Sequence, residues 1–250
     1  ELMYFLAWRD VLVRYKQTVV GVAWAVIRPL ITTIIFTVIF GRIAKLPSPG
    51  DVPYALLVFT GTMPWNFFSA AMTESGSSLV ANSGMISKVY FPRLVIPASS
   101  VATSFVDLCI SAVLLAVMML IYGYAPGPEI IALPFFVIVA AAAAFGAGLW
   151  CSALMVKYRD VRYIIPFVVQ VGFFISPVGL STSAVPEQWR FLYSLNPMVG
   201  VINGFRWSLL NGVQEIYWPA FAISIVFVSL LIFTGIWYFR KTERGFADII

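Results

Sequence analysis

Long apolar runs, separated by short segments rich in charge, Pro and Gly, dominate the pattern of this chain. An α-helix that crosses a bilayer needs about 20 mainly apolar residues, and the punctuation divides this chain into six such runs. The predicted spans cover residues 22–41, 53–74, 97–122, 130–156, 163–181 and 216–239. The pattern therefore predicts an all-α integral membrane protein, with a single domain over residues 1–250 because no repeat or linker interrupts it.

The segment 183–215 is partly apolar but is not predicted to cross the membrane. Arg206 would lie near the middle of such a span, where a charge is costly, and Asn196-Pro197 interrupts the apolar run. We expect two short helices that enter the outer leaflet as a re-entrant hairpin. The expected helices cover residues 186–195 and 198–210.

The first 20 residues do not have the pattern of a signal peptide, because Arg9, Asp10, Arg14 and Lys16 are spread through them. As a helix, this segment places Tyr4, Trp8, Val11 and Tyr15 on one face. Trp and Tyr favour the boundary between lipid and water. The sequence therefore predicts an N-terminal helix that lies in the cytoplasmic interface.

Composition excludes a soluble enzyme. Of 250 residues, 61% are hydrophobic and 11% are charged, and the mean hydropathy is +0.92, whereas a soluble domain has about 25% charged residues. The chain has no His, and its two Cys, Cys109 and Cys151, lie within apolar runs. Neither a metal site nor a disulfide framework is therefore expected.

Motifs of nucleotide binding and of hydrolysis are also missing. The chain contains neither the P-loop pattern G-x-x-x-x-G-K-[ST] nor G-x-S-x-G nor D-x-D. We therefore expect no enzymatic activity and no cofactor in this chain. Uphill transport would need energy from an ion gradient or from a partner that hydrolyses ATP.

The basic residues indicate an orientation. With both termini in the cytoplasm, 12 of the 16 Lys and Arg lie on that side, as the positive-inside rule requires. They are Arg9, Arg14, Lys16, Arg28, Lys88, Arg93, Lys157, Arg159, Arg162, Arg240, Lys241 and Arg244. Because these charges form short clusters next to the membrane and no continuous stripe, a nucleic-acid partner is not expected.

Polar residues form a stripe on each of two predicted spans. Residues 53–74 place Thr62, Asn66, Ser69 and Thr73 together, and residues 97–122 place Ser100, Ser104, Asp107 and Ser111 together. Such stripes indicate either a hydrated path or hydrogen bonding between helices. Asp107 must be protonated, paired or hydrated at that depth, and Glu74 is either an interfacial carboxylate or part of a proton relay.

The first, fourth and fifth predicted spans differ in character. Arg28 is either an anchor at the membrane surface or the start of a path that continues along Thr32 and Phe36. Small residues at four-residue spacing predict that the fourth span packs closely against its neighbours; they are Ala140, Ala144, Gly148 and Ser152. The fifth span has an aromatic face that is either a packing surface or a lining able to stack on sugar rings; it contains Tyr163, Phe167, Gln170 and Phe174.

Three stretches resemble the membrane subunit of ABC-2 type exporters, in particular the polysaccharide branch that moves lipid-linked O-antigen. The first contains Arg9-Asp10, Arg14-Tyr15-Lys16-Gln17-Thr18, Gly21-Val22-Ala23-Trp24 and Arg28-Pro29. The second contains Lys88-Val89-Tyr90-Phe91-Pro92-Arg93 and Pro97. The third contains Tyr158-Arg159-Asp160-Val161-Arg162, Pro166, Ser176-Pro177-Val178, Pro186, Asn196-Pro197 and Phe205-Arg206.

The resemblance implies a homodimeric permease in the bacterial inner membrane, bound to two copies of a cytoplasmic ATPase that holds ATP and Mg. It implies that the coupling region 82–93 docks on that ATPase through Ser87, Lys88, Val89, Tyr90, Phe91, Pro92 and Arg93, unless this is an ordinary basic membrane anchor. A second contact would contain Tyr158, Arg159, Asp160 and Arg162. The resemblance places an outer gate at residues 183–215, with Pro186, Trp189, Asn196, Pro197, Phe205 and Arg206.

The substrate implied is a glycan linked to undecaprenyl pyrophosphate, moved through a channel lined by the first and fifth spans. Arg9, Arg14 and Arg28 are predicted to hold the pyrophosphate by charge-assisted hydrogen bonds. Within the same fold, the alternatives are a teichoic-acid or capsule exporter and a drug or lipid exporter. From other classes, an ion-coupled transporter would use Asp107 and Glu74, and a glycan-processing enzyme would use Glu187 or Glu215.

Overall fold

The computed structural model describes residues 1–16, 21–46, 48–88, 91–182, 185–213 and 216–246. This part of the chain is helical and without strands, which confirms the predicted all-α class. Its α-helices are α1 (Leu2–Lys16), α2 (Gly21–Phe36), α3 (Tyr54–Ala81), α4 (Ser83–Ile86), α5 (Val95–Tyr122), α6 (Leu133–Lys157), α7 (Val161–Ile175), α8 (Glu187–Tyr193), α9 (Pro197–Leu209) and α10 (Trp218–Thr242).

Among the described residues, four helical segments are long and apolar enough to cross a bilayer. They are Ala23–Ile43, Val95–Tyr122, Pro128–Lys157 and Trp218–Thr242. The first joins α2 to the π-helix Thr37–Ile43, and the third joins the 3-10 helix Pro128–Ala132 to α6. These segments agree within three residues with the predicted spans 22–41, 97–122, 130–156 and 216–239.

The central helix is α3, which corresponds to the predicted span 53–74 and continues to Ala81. Its polar stripe lowers its hydropathy, so it is not among the four apolar segments; its crossing stays a prediction. It packs closely on α6, because a Cβ atom added at Gly76 would come within 2.9 Å of the Cys151 Cβ atom. The small residues predicted to allow such packing are all buried in α6: Ala140, Ala144, Gly148 and Ser152.

The fifth predicted span is shorter as a helix than its apolar run. Helix α7 ends at Ile175, six residues before the predicted limit at residue 181. The reason is local, because Ser176 precedes Pro177 and has extended backbone angles, φ −90° and ψ 152°. Fifteen helical residues reach only about 22 Å, less than the roughly 30 Å of a bilayer core.

The segment predicted as a hairpin forms two short helices. Helices α8 and α9 match the expected ranges 186–195 and 198–210 within two residues at each end, and Asn196 caps α9 by accepting a hydrogen bond from the Met198 amide. Helix α9 is almost completely buried and is only 13 residues long, or about 20 Å. It is therefore too short for a seventh span, and its re-entrant position stays a prediction.

The connections lie alternately at two ends of the bundle. At one end, a cluster of buried residues joins Leu6 of α1, Ile86 of the coupling region and Phe246 near the end of the described chain. At the other end, the Asn211 amide donates to the Ala125 carbonyl at 3.0 Å. Both described terminal segments thus lie at one end, which we call the termini end.

Candidate functional site

A cavity of about 820 Å³ lies between α1, α2, α3 and α5. It brings together residues from the two predicted polar stripes: Asn66, Ser69, Thr73, Asp107 and Ser111. The other stripe residues, Thr62, Ser100 and Ser104, are not part of the lining; the Thr62 hydroxyl donates to the Phe59 carbonyl of its own helix at 3.0 Å. The side chains of Arg14, Tyr15, Trp24, Arg28, Thr32 and Glu74 complete the polar and aromatic part of the lining.

Four of the lining residues form a charged cluster: Arg14, Tyr15, Glu74 and Asp107. The Arg14 Nη1 atom lies 2.5 Å from Asp107 Oδ2, and Nη2 of the same guanidinium pairs with Glu74 Oε1. The Tyr15 hydroxyl donates to Asp107, and the Ser104 hydroxyl donates to Glu74 Oε2 at 3.2 Å. Asp107 was expected to be protonated, paired or hydrated, and the structure shows it paired with Arg14.

The charged cluster holds the N-terminal helix against the bundle. Arg14 and Tyr15 belong to α1, whereas Glu74 belongs to α3 and Asp107 to α5. Burial, strengthened by the hydrogen bond to Asp107, raises the pKa of the Tyr15 phenol above its usual range, so the phenol remains a hydrogen-bond donor at neutral pH. The two acidic side chains of the cluster share one guanidinium, that of Arg14.

The three arginines predicted to hold a pyrophosphate have different surroundings. Arg9 lies outside the cavity lining, pairs with Asp10 at 2.7 Å and donates to Asn82 Oδ1 at 2.9 Å. Arg14 lines the cavity within the charged cluster. Arg28 lines it on α2, is exposed, and lies with its guanidinium carbon 6.0 Å from the centre of the Trp24 ring.

Arg28 is the lining cation best able to accept an anionic ligand. No acidic side chain pairs with it in the described part of the chain, and the Thr32 hydroxyl donates to its backbone carbonyl at 3.0 Å. Its contact with the Trp24 ring orients the guanidinium without neutralising it. Anion binding by Arg9, Arg14 and Arg28 stays a prediction.

The residues predicted to line a channel do not meet within one copy of the chain. Thr32 lines the cavity, whereas Phe36 packs edge-on against Phe173 with ring centres 5.7 Å apart. The predicted face of α7 points away from the bundle: Tyr163, Phe167, Gln170 and Phe174 are all exposed. Helix α2 also exposes a large apolar surface, and only 11% of its span is buried.

Both segments predicted to contact an ATPase lie partly exposed. In the coupling region, Ser87, Lys88 and Pro92 are exposed, Phe91 is half-buried, and Arg93 donates to the Glu243 carbonyl. Val89 and Tyr90 lie outside the described residues. After α6, the four residues predicted for the second contact are exposed, whereas Val161 among them is buried; the four are Tyr158, Arg159, Asp160 and Arg162.

The predicted outer gate is divided between surface and core. Pro186 and Trp189 are exposed around α8, whereas Phe205 and Arg206 of α9 are fully buried. Pro197 occupies the first turn of α9. Besides capping that helix, Asn196 donates from Nδ2 to the Ser176 hydroxyl at 2.9 Å, which connects α9 to the end of α7.

Arg206 has a role that sequence reasoning missed. Its Nη1 and Nη2 atoms donate at 2.8 Å to the carbonyls of Leu180 and Val178, and Nε donates at 3.3 Å to that of Leu57. The guanidinium therefore joins α9 to α3 and to the turn after α7. It is tolerated in the core because carbonyl dipoles replace water as its partners. No signal in the sequence identified these carbonyls.

Comparison with known proteins gives a match over most of the chain. Residues 1–210 match the model of the ABC-2 type transporter family. The chain is 29% identical to the O-antigen export system permease protein RfbA of Klebsiella pneumoniae, over 100% of this chain and 95% of that protein. It is 24% identical to RfbA of Myxococcus xanthus, with the same coverage. It is 20% identical to the polysialic acid transport protein KpsM of Escherichia coli, over 90% of this chain and 89% of that protein.

Proposed function

Because the chain belongs to the ABC-2 type transporter family, we propose that it is the permease subunit of an ATP-driven exporter of a lipid-linked polysaccharide such as O-antigen. The observation behind this proposal is the similarity over the full chain to relatives named as O-antigen export permeases. A relative named for polysialic acid transport supports a polysaccharide as the substrate class. The capsule exporter is the nearest alternative.

ATP would be hydrolysed by a separate subunit that docks at the termini end. The coupling region belongs to the buried cluster of that end through Ile86, yet it exposes Lys88 and Pro92. The second exposed segment, at Tyr158–Arg162 in the sequence, follows directly after α6. Exposed basic and aromatic side chains on a compact turn suit a protein interface. With the positive-inside rule, this end faces the cytoplasm.

A second copy of the chain would complete the channel. Helices α2 and α7 expose apolar and aromatic faces that the other helices of the same copy leave uncovered, including Phe167 and Phe174 at 66% and 74% exposure. Large apolar faces on a membrane protein contact either lipid or another protein. In a homodimer, these faces would enclose a passage with Gln170 and aromatic rings on its wall, which suits a glycan.

Arg28 would hold the pyrophosphate of the lipid carrier. A guanidinium forms charge-assisted, bidentate hydrogen bonds to phosphate oxygens, and Arg28 is exposed at the cavity beside the apolar surface of α2. That surface could accept the polyprenyl chain from the bilayer. The anionic head and apolar tail would thus have adjacent binding surfaces on one helix.

The proposal is tested by export in cells that lack the gene for this chain. Restoring the chain with its ATPase should restore surface polysaccharide, and an ATPase without catalytic activity should leave the lipid-linked glycan inside the cell. Surface polysaccharide is measured with a specific antibody. Transport by this chain alone in ATP-free vesicles would contradict the proposal and favour an ion-coupled transporter.

Docking is tested with a matched pair of charge reversals. Lys88→Glu should prevent co-purification of the ATPase, because Lys88 is exposed in the coupling region. Lys45→Glu reverses an exposed lysine in a connection predicted on the opposite side, and it should leave co-purification unchanged. Equal ATPase recovery with both variants would remove Lys88 from the docking surface.

A further inference from the structure

The cavity has two chemically different parts. Beside α1, the charged cluster contributes four carboxyl oxygens, from Glu74 and Asp107. On α2, Arg28 contributes a positive charge beside the Trp24 ring. An anion is attracted to the Arg28 part, whereas the cation of the charged cluster, Arg14, already pairs with two carboxyl groups. A neutral ligand with many hydroxyl groups suits the cluster, because each carboxylate oxygen has lone pairs beyond those already used.

Two further polar groups are available on the same wall. In the described part of the chain, the side-chain amide of Asn66 and the side-chain hydroxyl of Ser111 form no hydrogen bond. Neither group is completely enclosed by protein, so both are accessible from the cavity. Ser69 and Thr73 next to them donate instead to backbone carbonyls of α3. Asn66 contributes both donors and an acceptor, and Ser111 contributes one donor. The wall can therefore donate hydrogen bonds to the hydroxyl groups of a ligand and also accept hydrogen bonds from them.

The size and the apolar lining fit a sugar. The volume of about 820 Å³ is within the range of about 300–1,000 Å³ that is typical of small-molecule sites. Trp24 is 52% exposed and lines the cavity, so its ring has a free face on which the C–H groups of a pyranose can stack. Carboxylates, an amide and an aromatic ring thus converge on one space.

We propose that this cavity binds the first sugar of the glycan, the residue directly attached to the diphosphate, while Arg28 holds the diphosphate. This inference rests on the proposed function. The sugar's hydroxyl groups donate to Glu74 and Asp107 and exchange hydrogen bonds with Asn66 and Ser111. The permease itself then distinguishes a loaded carrier from a bare lipid diphosphate before export begins.

The test compares two probes on the purified full-length chain in lipid nanodiscs. One probe is a polyprenyl diphosphate bearing a single N-acetylhexosamine, and the other is the same polyprenyl diphosphate without sugar. Binding is measured by microscale thermophoresis. We expect the sugar-bearing lipid to bind about tenfold more tightly, as one or two hydrogen bonds of ordinary net strength would give.

Variants assign that preference to the cavity wall. Asn66→Leu, of similar size, should reduce the preference to about twofold or less, and Ser111→Ala, which removes a single hydroxyl oxygen, should reduce it by about threefold. Ser229→Ala makes the same change on α10, outside the cavity lining, and should preserve it. Arg28→Gln should weaken the binding of both probes by a similar factor.

The outcomes separate this inference from the proposed function. Equal affinity for the two probes in the unmodified chain would overturn the sugar site and leave the export proposal intact. Loss of preference in Ser229→Ala as large as in Ser111→Ala would also overturn it. Competition by phosphatidylglycerol as effective as by the sugar-bearing lipid would identify a general site for anionic lipids. Binding of neither probe, together with no export in cells, would overturn both proposals.

Discussion

Replacing Gly61 by Ala should separate α3 from the turn after α7. A Cβ atom at Gly61 would lie 2.6 Å from the Val178 carbonyl oxygen and 2.7 Å from Arg206 Nη2. Ordinary contacts begin near 3.4 Å, so the shortfall is about 0.8 Å. Neither neighbour can yield freely, because the Val178 oxygen accepts the Arg206 hydrogen bond at 2.8 Å.

The expected cost combines two effects. Overpacking a core typically costs about 1–3 kcal/mol, and losing a hydrogen bond to a charged group costs about 1.5–3 kcal/mol. Alanine in a helix recovers about 1 kcal/mol relative to glycine. The net loss should therefore be about 1.5–5 kcal/mol, and the middle of this range corresponds to a melting temperature lower by roughly 10 °C for a chain of this size.

The assay is thermal unfolding of the detergent-purified protein, followed by size-exclusion chromatography. Gly84→Ala is the matched control, because a Cβ atom there would have no other atom within 4 Å. In the Arg206→Met background, Gly61→Ala should cost less, since one of the two clashes disappears. A melting temperature for Gly61→Ala within 2 °C of the control would refute the reasoning that Arg206 holds this turn against α3.

Other predictions concern the charged cluster, the orientation and the dimer. Arg14→Gln should destabilise the protein by about 1–3 kcal/mol by leaving two neighbouring carboxylates unpaired, and adding Glu74→Gln should recover part of that loss in the same thermal assay. The orientation is tested by cysteine labelling in a background without native cysteines. Trp189→Cys should react with a membrane-impermeant maleimide on cells with a permeabilised outer membrane, whereas Ser87→Cys should react only after lysis. The reverse labelling would contradict the predicted orientation. Phe174→Cys should form a disulfide between two copies in membranes treated with oxidant, and a purely monomeric band on a gel would argue against the homodimer.

The sequence determined the class of this protein through periodicity and charge. Apolar runs of this length are typical of membrane spans, and inside a bilayer they must be helical, because a helix pairs its backbone N–H and C=O groups within the same segment. Four of those runs appear as long apolar helices with nearly the predicted limits. Proline also acts locally: Pro197 begins α9, as its missing amide allows, and Pro177 ends α7 at Ile175, six residues before the predicted limit of that span.

The candidate site was predictable only in part. The polar stripes on α3 and α5 indicated where water or hydrogen bonds must occur, and a lone Asp107 required a partner, a proton or water. Sequence could not name Arg14 as that partner, because the two residues are 93 positions apart. Their meeting depends on how α1 folds back along α5.

The sequence alone therefore established an integral membrane helical protein, the limits of most of its helices and a resemblance to one transporter family. Only the tertiary structure showed that Arg14 pairs with two carboxyl groups, that Arg206 is held by three backbone carbonyls, and that Asn66 shares a cavity with Arg28. The physical reason is the range of the forces involved. Periodicity and helix capping act within one or two turns, whereas ion pairs and cavities depend on which distant helices come into contact.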